Sequence, residues 1–113
     1  MERTLSESED LVISTILKNA ENGGKDFQLY TLSDAIYERS QKKWQPQTVS
    51  TFIKRISAKE INGHAYLSFY KEGRFTYYHP ELSMREYKDY KIKDLLSLCF
   101  NDIEDMKDYI SKY

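Results

Sequence analysis

Pro46-Gln47-Thr48-Val49-Ser50-Thr51-Phe52-Ile53-Lys54-Arg55-Ile56-Ser57-Ala58-Lys59 is the most regular stretch of this 113-residue chain. Val49, Phe52, Ile53 and Ile56 recur at i, i+3, i+4 and i+7, which makes one continuous apolar face of a helix. At about 100° per residue the opposite face carries Gln47, Ser50, Thr51 and Lys54, with Thr48 and Arg55 on one shoulder. None of those six is a large apolar residue, and every one can form hydrogen bonds, so the face suits a polar partner better than a core. A polar helix face taken alone is ordinarily just solvated; the elements around it decide.

Upstream, Ser6-Glu7-Ser8-Glu9 is a capping box that opens a first helix. Leu11, Val12, Ile16, Leu17 and Ala20 form its apolar stripe, and Asn22-Gly23-Gly24 stops it. Phe27 to Tyr30 reads as a short connector able to pair as a small strand. Thr31 is the expected N-cap of a second helix, with Leu32, Ala35 and Ile36 on its buried side and Gln41-Lys42-Lys43 at its end. Trp44-Gln45-Pro46 is punctuation: Trp44 reads as a packing anchor under the turn, and Pro46 suits the first helical position, where its missing N–H has no partner to lose.

Downstream of Asn62-Gly63 the period changes to two. Leu67 and Phe69 alternate with Tyr66, Ser68 and Tyr70, Lys71-Glu72-Gly73-Arg74 makes a tight connection, and Phe75 and Tyr77 alternate with Thr76 and Tyr78. This predicts a β-hairpin ended by His79-Pro80. Its tyrosines read mostly as core and cross-strand pairs, Tyr70 and Tyr78 being the two that a phosphate could meet. A capping box at Ser83-Met84-Arg85-Glu86 opens an amphipathic helix interrupted near Asn101, and a last helix follows with Ile103, Met106, Ile110 and Tyr113 on one side.

Three helices followed by a two-stranded hairpin, the third helix entered through a short turn, is the order of a winged helix-turn-helix domain. The expected fold class is mainly α with a small β-hairpin: a winged helix-turn-helix DNA-binding domain over residues 1–80 and a C-terminal helical dimerisation region over 81–113. In such a fold Gln47, Ser50, Thr51 and Lys54 meet base edges in the major groove, with Thr48 and Arg55 beside them. Lys71 and Arg74 at the hairpin tip, with Lys42 and Lys43 before the turn, meet phosphates and set register.

Charge distribution agrees. The formal net charge is −1, yet eight basic and only three acidic residues lie between Tyr37 and Phe75, a surplus of five, while nine basic and fifteen acidic residues occupy the two ends. A basic centre with acidic flanks suits a polyanion-binding face on a soluble body. Hydrophobic residues at 40% and charged residues at 31% describe a globular chain, and its apolar runs are too short to cross a bilayer. No secretory leader is visible, and the single cysteine, Cys99, excludes an internal disulfide and a thiolate-cluster metal site, so a reducing cytoplasm is expected. Cys99 itself reads as a packed thiol. His64 and His79 read as isolated, without partners at ligand spacing, so no metal or cofactor is expected. No catalytic triad, paired carboxylates or phosphate loop is present, and an enzyme is the least favoured class.

Three motifs, in order and at plausible separations, resemble the penicillinase-repressor (BlaI/MecI/CopY) family of bacterial transcription regulators. They are Leu5-Ser6-Glu7-Ser8-Glu9, Trp44-Gln45-Pro46-Gln47-Thr48-Val49-Ser50-Thr51, and Lys71-Glu72-Gly73-Arg74 followed by Tyr78-His79-Pro80. The resemblance covers roughly Leu5 to Pro80. It implies a homodimeric winged-helix repressor of a palindromic operator, dimerised through its C-terminal helices. It also places Thr48 and Thr51 where members contact DNA, and Arg55 on the arginine near the recognition helix's end. The chain departs from the family in having Asp10 where Trp or a similar residue is usual, Gln47 where a lysine is common, and a longer loop from Asn22 to Tyr30. With one cysteine it lacks the paired Cys-x-Cys motifs of copper-responsive members, and no counterpart of the cleavage site of the β-lactam-responsive branch is visible. Neither a sensor protease nor another inducing partner is therefore identified.

A chain this short has little capacity to cover Tyr87, Leu95, Leu96, Leu98, Phe100, Ile103, Met106 and Ile110 by itself. Burial of Tyr87, Leu95, Leu98, Phe100, Ile103, Met106 and Ile110 against a symmetry mate is the expectation, against the alternative that these helices fold back on their own domain. The function expected is a cytoplasmic bacterial repressor binding double-stranded operator DNA as a homodimer. The alternative is a winged-helix protein-interaction module without sequence-specific DNA binding.

Overall fold

The computed structural model describes residues 5–113; residues 1–4, with which the expected N-terminal domain begins, lie outside the described residues. Helix α1 (Glu7–Glu21) starts on the anticipated capping box, with Ser6 Oγ accepting from the Glu9 N–H at 3.2 Å and Glu9 Oε1 accepting from the Ser6 N–H at 3.0 Å. It ends at Asn22, followed by Gly23 at a φ of 78°, a conformation natural to glycine. Helix α2 (Leu29–Ser40) starts earlier than expected: Gln28, not Thr31, is the N-cap. Thr31 sits one turn inside, where its hydroxyl accepts from the Gln28 N–H at 2.9 Å and donates to the Gln28 carbonyl at 3.0 Å. A hydroxyl at this position bonds back to the N-cap backbone instead of serving the first-turn N–H groups, so the sequence signal is displaced rather than absent. Leu29 and Tyr30 are therefore helical, and of the expected connector strand only a single bridge from Phe27 to Tyr78 forms. Gln41, in the left-handed conformation, closes α2 before Lys42 and Lys43.

Helix α3 (Pro46–Ser57) occupies the expected stretch and stops two residues before Lys59. Two small antiparallel pairs follow. Strands β1 (Glu60–Ile61) and β2 (His64–Ala65) turn through Asn62-Gly63, both with positive φ, the requirement of a type I′ turn. Strands β3 (Leu67–Glu72) and β4 (Phe75–Pro80) form the wing, joined by Gly73-Arg74 with Gly73 at a φ of 62°. Helices α4 (Met84–Cys99) and α5 (Ile103–Ile110) complete the chain. The architecture is a winged helix with C-terminal helices.

The core lies among the first three helices. Val12, Ile13, Ile16 and Leu17 of α1 meet Leu32 and Ile36 of α2 and Val49, Ile53 and Ile56 of α3, with Tyr66 and Leu67 at the wing's root, and all are buried. Ile13, outside the stripe read from the sequence, is fully covered because α1 packs against α2, α3, β4 and α4 and so buries a wide arc. The wing is less buried than its alternation suggests: Phe69 and Phe75 are exposed, because a two-stranded ribbon has no second layer over most of its length.

Polar ties fix the packing. Arg39 donates from Nη1 to Ser14 Oγ and Thr15 Oγ1, both at 2.9 Å, and joins α2 to α1. Asp10 accepts from the Tyr87 hydroxyl at 2.6 Å and pairs with Lys91 at 2.7 Å, joining α4 to α1. Tyr87 is thus buried against its own chain, and Met106 is buried as well; both were expected to be covered by a partner. Cys99 is exposed on the last turn of α4 rather than packed.

The histidines have carboxylate partners that sequence spacing did not reveal. His79 Nδ1 lies 3.1 Å from Asp26. His64 Nε2 lies 2.7 Å from Glu86 Oε2, and its Nδ1 2.8 Å from the Ala65 carbonyl. Glu86 was expected to complete a capping box with Ser83; its carboxylate turns instead to His64 and to Asn62 Nδ2, the latter at 2.7 Å, while Ser83 alone caps α4. Two acceptors facing both ring nitrogens favour the imidazolium, since only that form donates from both. The Glu86 hydrogen bond, followed by the Ala65 carbonyl, raises the His64 pKa above its ordinary 6.5. The Asn62 and His64 hydrogen bonds hold Glu86 below its ordinary 4.5.

By linkage the raised histidine adds stability in full below its unfolded pKa and loses it as pH rises through the folded value. The lowered carboxylate adds stability above its unfolded pKa and loses it as pH falls through the folded value. The β1–β2 turn is therefore held to α4 most firmly between those limits. Melting temperature should fall slightly from about pH 6 to about pH 8, the effect being small for exposed groups, and His64→Gln should flatten that slope. Thermal melts across a buffer series test this; an unaltered slope in the variant would assign the dependence to other groups.

Candidate nucleic-acid interface

With Val49, Ile53 and Ile56 buried, helical geometry turns the opposite row of α3 to solvent. Gln47, Thr51, Lys54 and Arg55 are exposed, and Thr48 and Ser50 are half-buried at its edges. Thr51 Oγ1 donates to the Gln47 carbonyl at 3.1 Å, an internal helix bond. Ser57, also exposed, continues the row three residues beyond Lys54 and seven beyond Ser50. It was passed over in the sequence, although the helical period alone places it there.

Both ends of α3 are braced. At its start Pro46 occupies the first turn, and the half-buried Trp44 ring stands 4.9 Å from that of Phe52, the packing anchor expected of it. The Arg55 guanidinium lies 5.9 Å over the same Phe52 ring, which keeps it on the helix shoulder. Just past the end, Lys59 Nζ pairs with Glu9 Oε1 at 2.6 Å, with the Glu9 side chain only 3% exposed. Burial pushes the Glu9 carboxyl up, but the Lys59 hydrogen bond, the Ser6 N–H and the charges of Lys59 and Arg55 outweigh it and hold the group below its ordinary value.

The basic surplus of the middle of the chain therefore divides. Arg39, though exposed, bonds hydroxyls of α1, and Lys59 pairs with Glu9. Lys42, Lys43, Lys54, Lys71, Arg55 and Arg74 form no ion pair among the described residues; Arg55 lies over Phe52 with its charge also felt at Glu9, and Arg74 lies 5.8 Å over Phe75. Lys42 and Lys43 are exposed in the loop leading into α3, Lys71 near the end of β3 and Arg74 in the wing's turn.

The wing is held in place from both sides. Strand β3 packs beside α3. On the other side Asp26, in the loop before α2, accepts from the Tyr70 hydroxyl at 2.9 Å and meets His79, while the Tyr78 N–H donates to the Phe27 carbonyl at 2.9 Å. The long loop noted in the sequence is thus a brace for the wing. Tyr70 stacks on Tyr77 across the strands at 5.5 Å, and its hydroxyl already donates to Asp26, which raises its pKa. It is therefore engaged within the chain rather than held out for a phosphate. Burial raises the pKa of the half-buried Tyr78.

Among the described residues no three His, Cys, Asp or Glu side chains are grouped to hold a metal ion, and no helix is long and apolar enough to cross a membrane. A family model described as penicillinase repressor matches residues 5–112, nearly the whole chain. No curated protein and no solved structure matches it.

Trp44 holds the entry of α3 through a half-buried ring, so Trp44→Ala should cost about 2 kcal/mol of stability, less than a fully buried Trp→Ala change. Urea titration measures the loss; a variant as stable as the parent would remove Trp44 from the support of this face.

Proposed function

Because the chain belongs to the penicillinase repressor family, we propose that it represses transcription as a homodimer on palindromic operator DNA. One recognition helix α3 enters the major groove of each half-site, and the β3–β4 wing rests on the flanking phosphates. The observation that carries this reading is the bare hydrogen-bonding row of α3 beside the wing, whose Lys54 and Arg55 form no ion pair among the described residues. On base edges, Gln47 is suited to adenine, Lys54 to guanine O6 and N7, and the Thr51 methyl to thymine, with Thr48, Ser50 and Arg55 at the margins. Lys42, Lys43, Lys71 and Arg74 neutralise phosphates and set register. Binding would block the promoter by occupying it.

Dimerisation is assigned to residues 81–113 as a unit distinct from the winged helix of residues 1–80. Leu95, Leu98, Ile103 and Ile110 are exposed on α4 and α5, Leu98 at 75%, and Phe100 is half-buried between the helices. An apolar surface of that kind is what a twofold partner covers, and the twofold axis would set two α3 helices about 34 Å apart, one turn of DNA.

Two experiments test the proposal. Thr51→Ala combined with Lys54→Ala should weaken binding to a selected operator by about tenfold or more, with little change on random duplex. Lys71→Ala with Arg74→Ala should weaken both duplexes and lower the slope of log affinity against log salt by about 2. Gel-shift titration over a salt series reads both. Equal loss on both duplexes for the α3 pair contradicts the base contacts, and binding that ignores salt favours a protein-interaction module. Separately, Leu98→Asp should convert the dimer to monomer in sedimentation while circular dichroism stays unchanged. A parent chain that is itself monomeric would contradict the C-terminal assignment.

A further inference from the structure

Alternation along β3 places Phe69 and Lys71 on one face of the wing, opposite Tyr78 and Thr76 of β4. That face turns toward α3, and between them lies an open groove of about 320 Å³. Its floor is apolar, with Ile53 from α3 and Phe69 and Tyr78 from the wing; Ser50 and Lys54 stand on its rim. Phe69 is 67% exposed although it lies in the middle of a strand. The other exposed phenylalanine of the wing differs: Phe75 is on the opposite face and carries the Arg74 guanidinium over its ring. Phe69 has no covering layer, and among the described residues no cation stacks over its ring.

An aromatic ring left bare beside a row of hydrogen-bonding side chains has one natural counterpart in duplex DNA. Of the groups on base edges in the major groove, only the thymine C5 methyl is apolar. Lys54 on the groove's rim, and Lys71 two residues beyond Phe69 on the same strand face, form no ion pair among the described residues, so the surroundings are complementary to the phosphates near such a base. We propose that the groove between α3 and the wing receives a thymine methyl, and that Phe69 is a specificity-determining residue at the base pair next to those met by Ser50 and Lys54. The inference rests on the DNA-binding reading above and adds a base preference supplied by the wing rather than by the recognition helix.

Deoxyuridine differs from thymidine only by that methyl. Starting from the tightest duplex selected out of a random library, each thymine is replaced in turn by uracil, and the parent chain and Phe69→Ala are titrated on the series. The parent should lose roughly fourfold at one thymine in each half-site, the worth of one buried methyl group. Phe69→Ala should bind the thymine duplex at least that much more weakly and no longer distinguish thymine from uracil there, while Phe69→Leu should restore part of the discrimination. An exposed side chain contributes little to stability, so the melting temperature of Phe69→Ala should stay near that of the parent. The inference is overturned if Phe69→Ala binds like the parent, if it keeps the parent's thymine-to-uracil ratio, or if it loses equally on every duplex, as a purely structural role would require. A parent chain that selects no duplex would sink the DNA-binding reading as well, a result distinct from those three.

Discussion

Burial of Val49, Ile53 and Ile56 against α1 and α2 is the contact on which the rest of the molecule turns. Each such side chain gains about 2 kcal/mol on leaving water, whereas an exposed ion pair gives about 1 kcal/mol or less, so the apolar face sets the rotation of α3 about its own axis. A helix with one face fixed has no freedom in the other. Gln47, Thr51, Lys54 and Arg55 point outward because Val49, Ile53 and Ile56, one or two residues away along the helix, must point inward. The Trp44–Phe52 contact and the Lys59–Glu9 pair then hold the two ends of the stretch, one through ring packing and the other through a nearly buried carboxylate already fixed by its capping role.

The same economy governs the charges. A net charge near zero conceals a central basic surplus, and the fold sorts that surplus by local partner. Arg39 meets hydroxyls of α1 and Lys59 meets the nearly buried Glu9. The remaining basic residues of the loop, α3 and the wing are left toward solvent, where a polyanion can replace water and counterions without breaking an existing pair.

Residues outside the winged helix are tied to it by few but specific links. Asp10 accepts from Tyr87 and pairs with Lys91, and Glu86 gathers Asn62 and His64, so α4 is attached to α1 and to the β1–β2 turn near its first half. Beyond those links Ile92, Leu95, Leu98, Ile103 and Ile110 are exposed, Leu98 most of all among them, while Met106 is buried. The helix thus has one end committed to its own chain and the other available to a partner, which is why Tyr87 and Leu98, both read from sequence as one stripe, have different surroundings.

The order of the helices and the wing, the ends of α1, the start of α3, the wing's glycine turn and the polar row of α3 were legible in the sequence, because each depends on interactions within a few residues: period, caps and turn chemistry; the two-residue β1–β2 pair left too short a signal to be read. Thr31 was misread as the N-cap because a threonine near a helix start signals capping from either side; here it lies inside the helix and its hydroxyl bonds back to the Gln28 backbone. What tertiary structure decided was every relation between residues far apart in the chain. Asp26 with Tyr70 and His79, Asp10 with Tyr87 and Lys91, and Glu86 with His64 have separations that leave no periodic trace. Whether a given aromatic on an alternating strand is covered likewise depends on which element lies above it, and for Phe69 none does. Local periodicity determines which side of a segment is apolar; only the packing of distant segments determines whether that side meets protein or is left for something else.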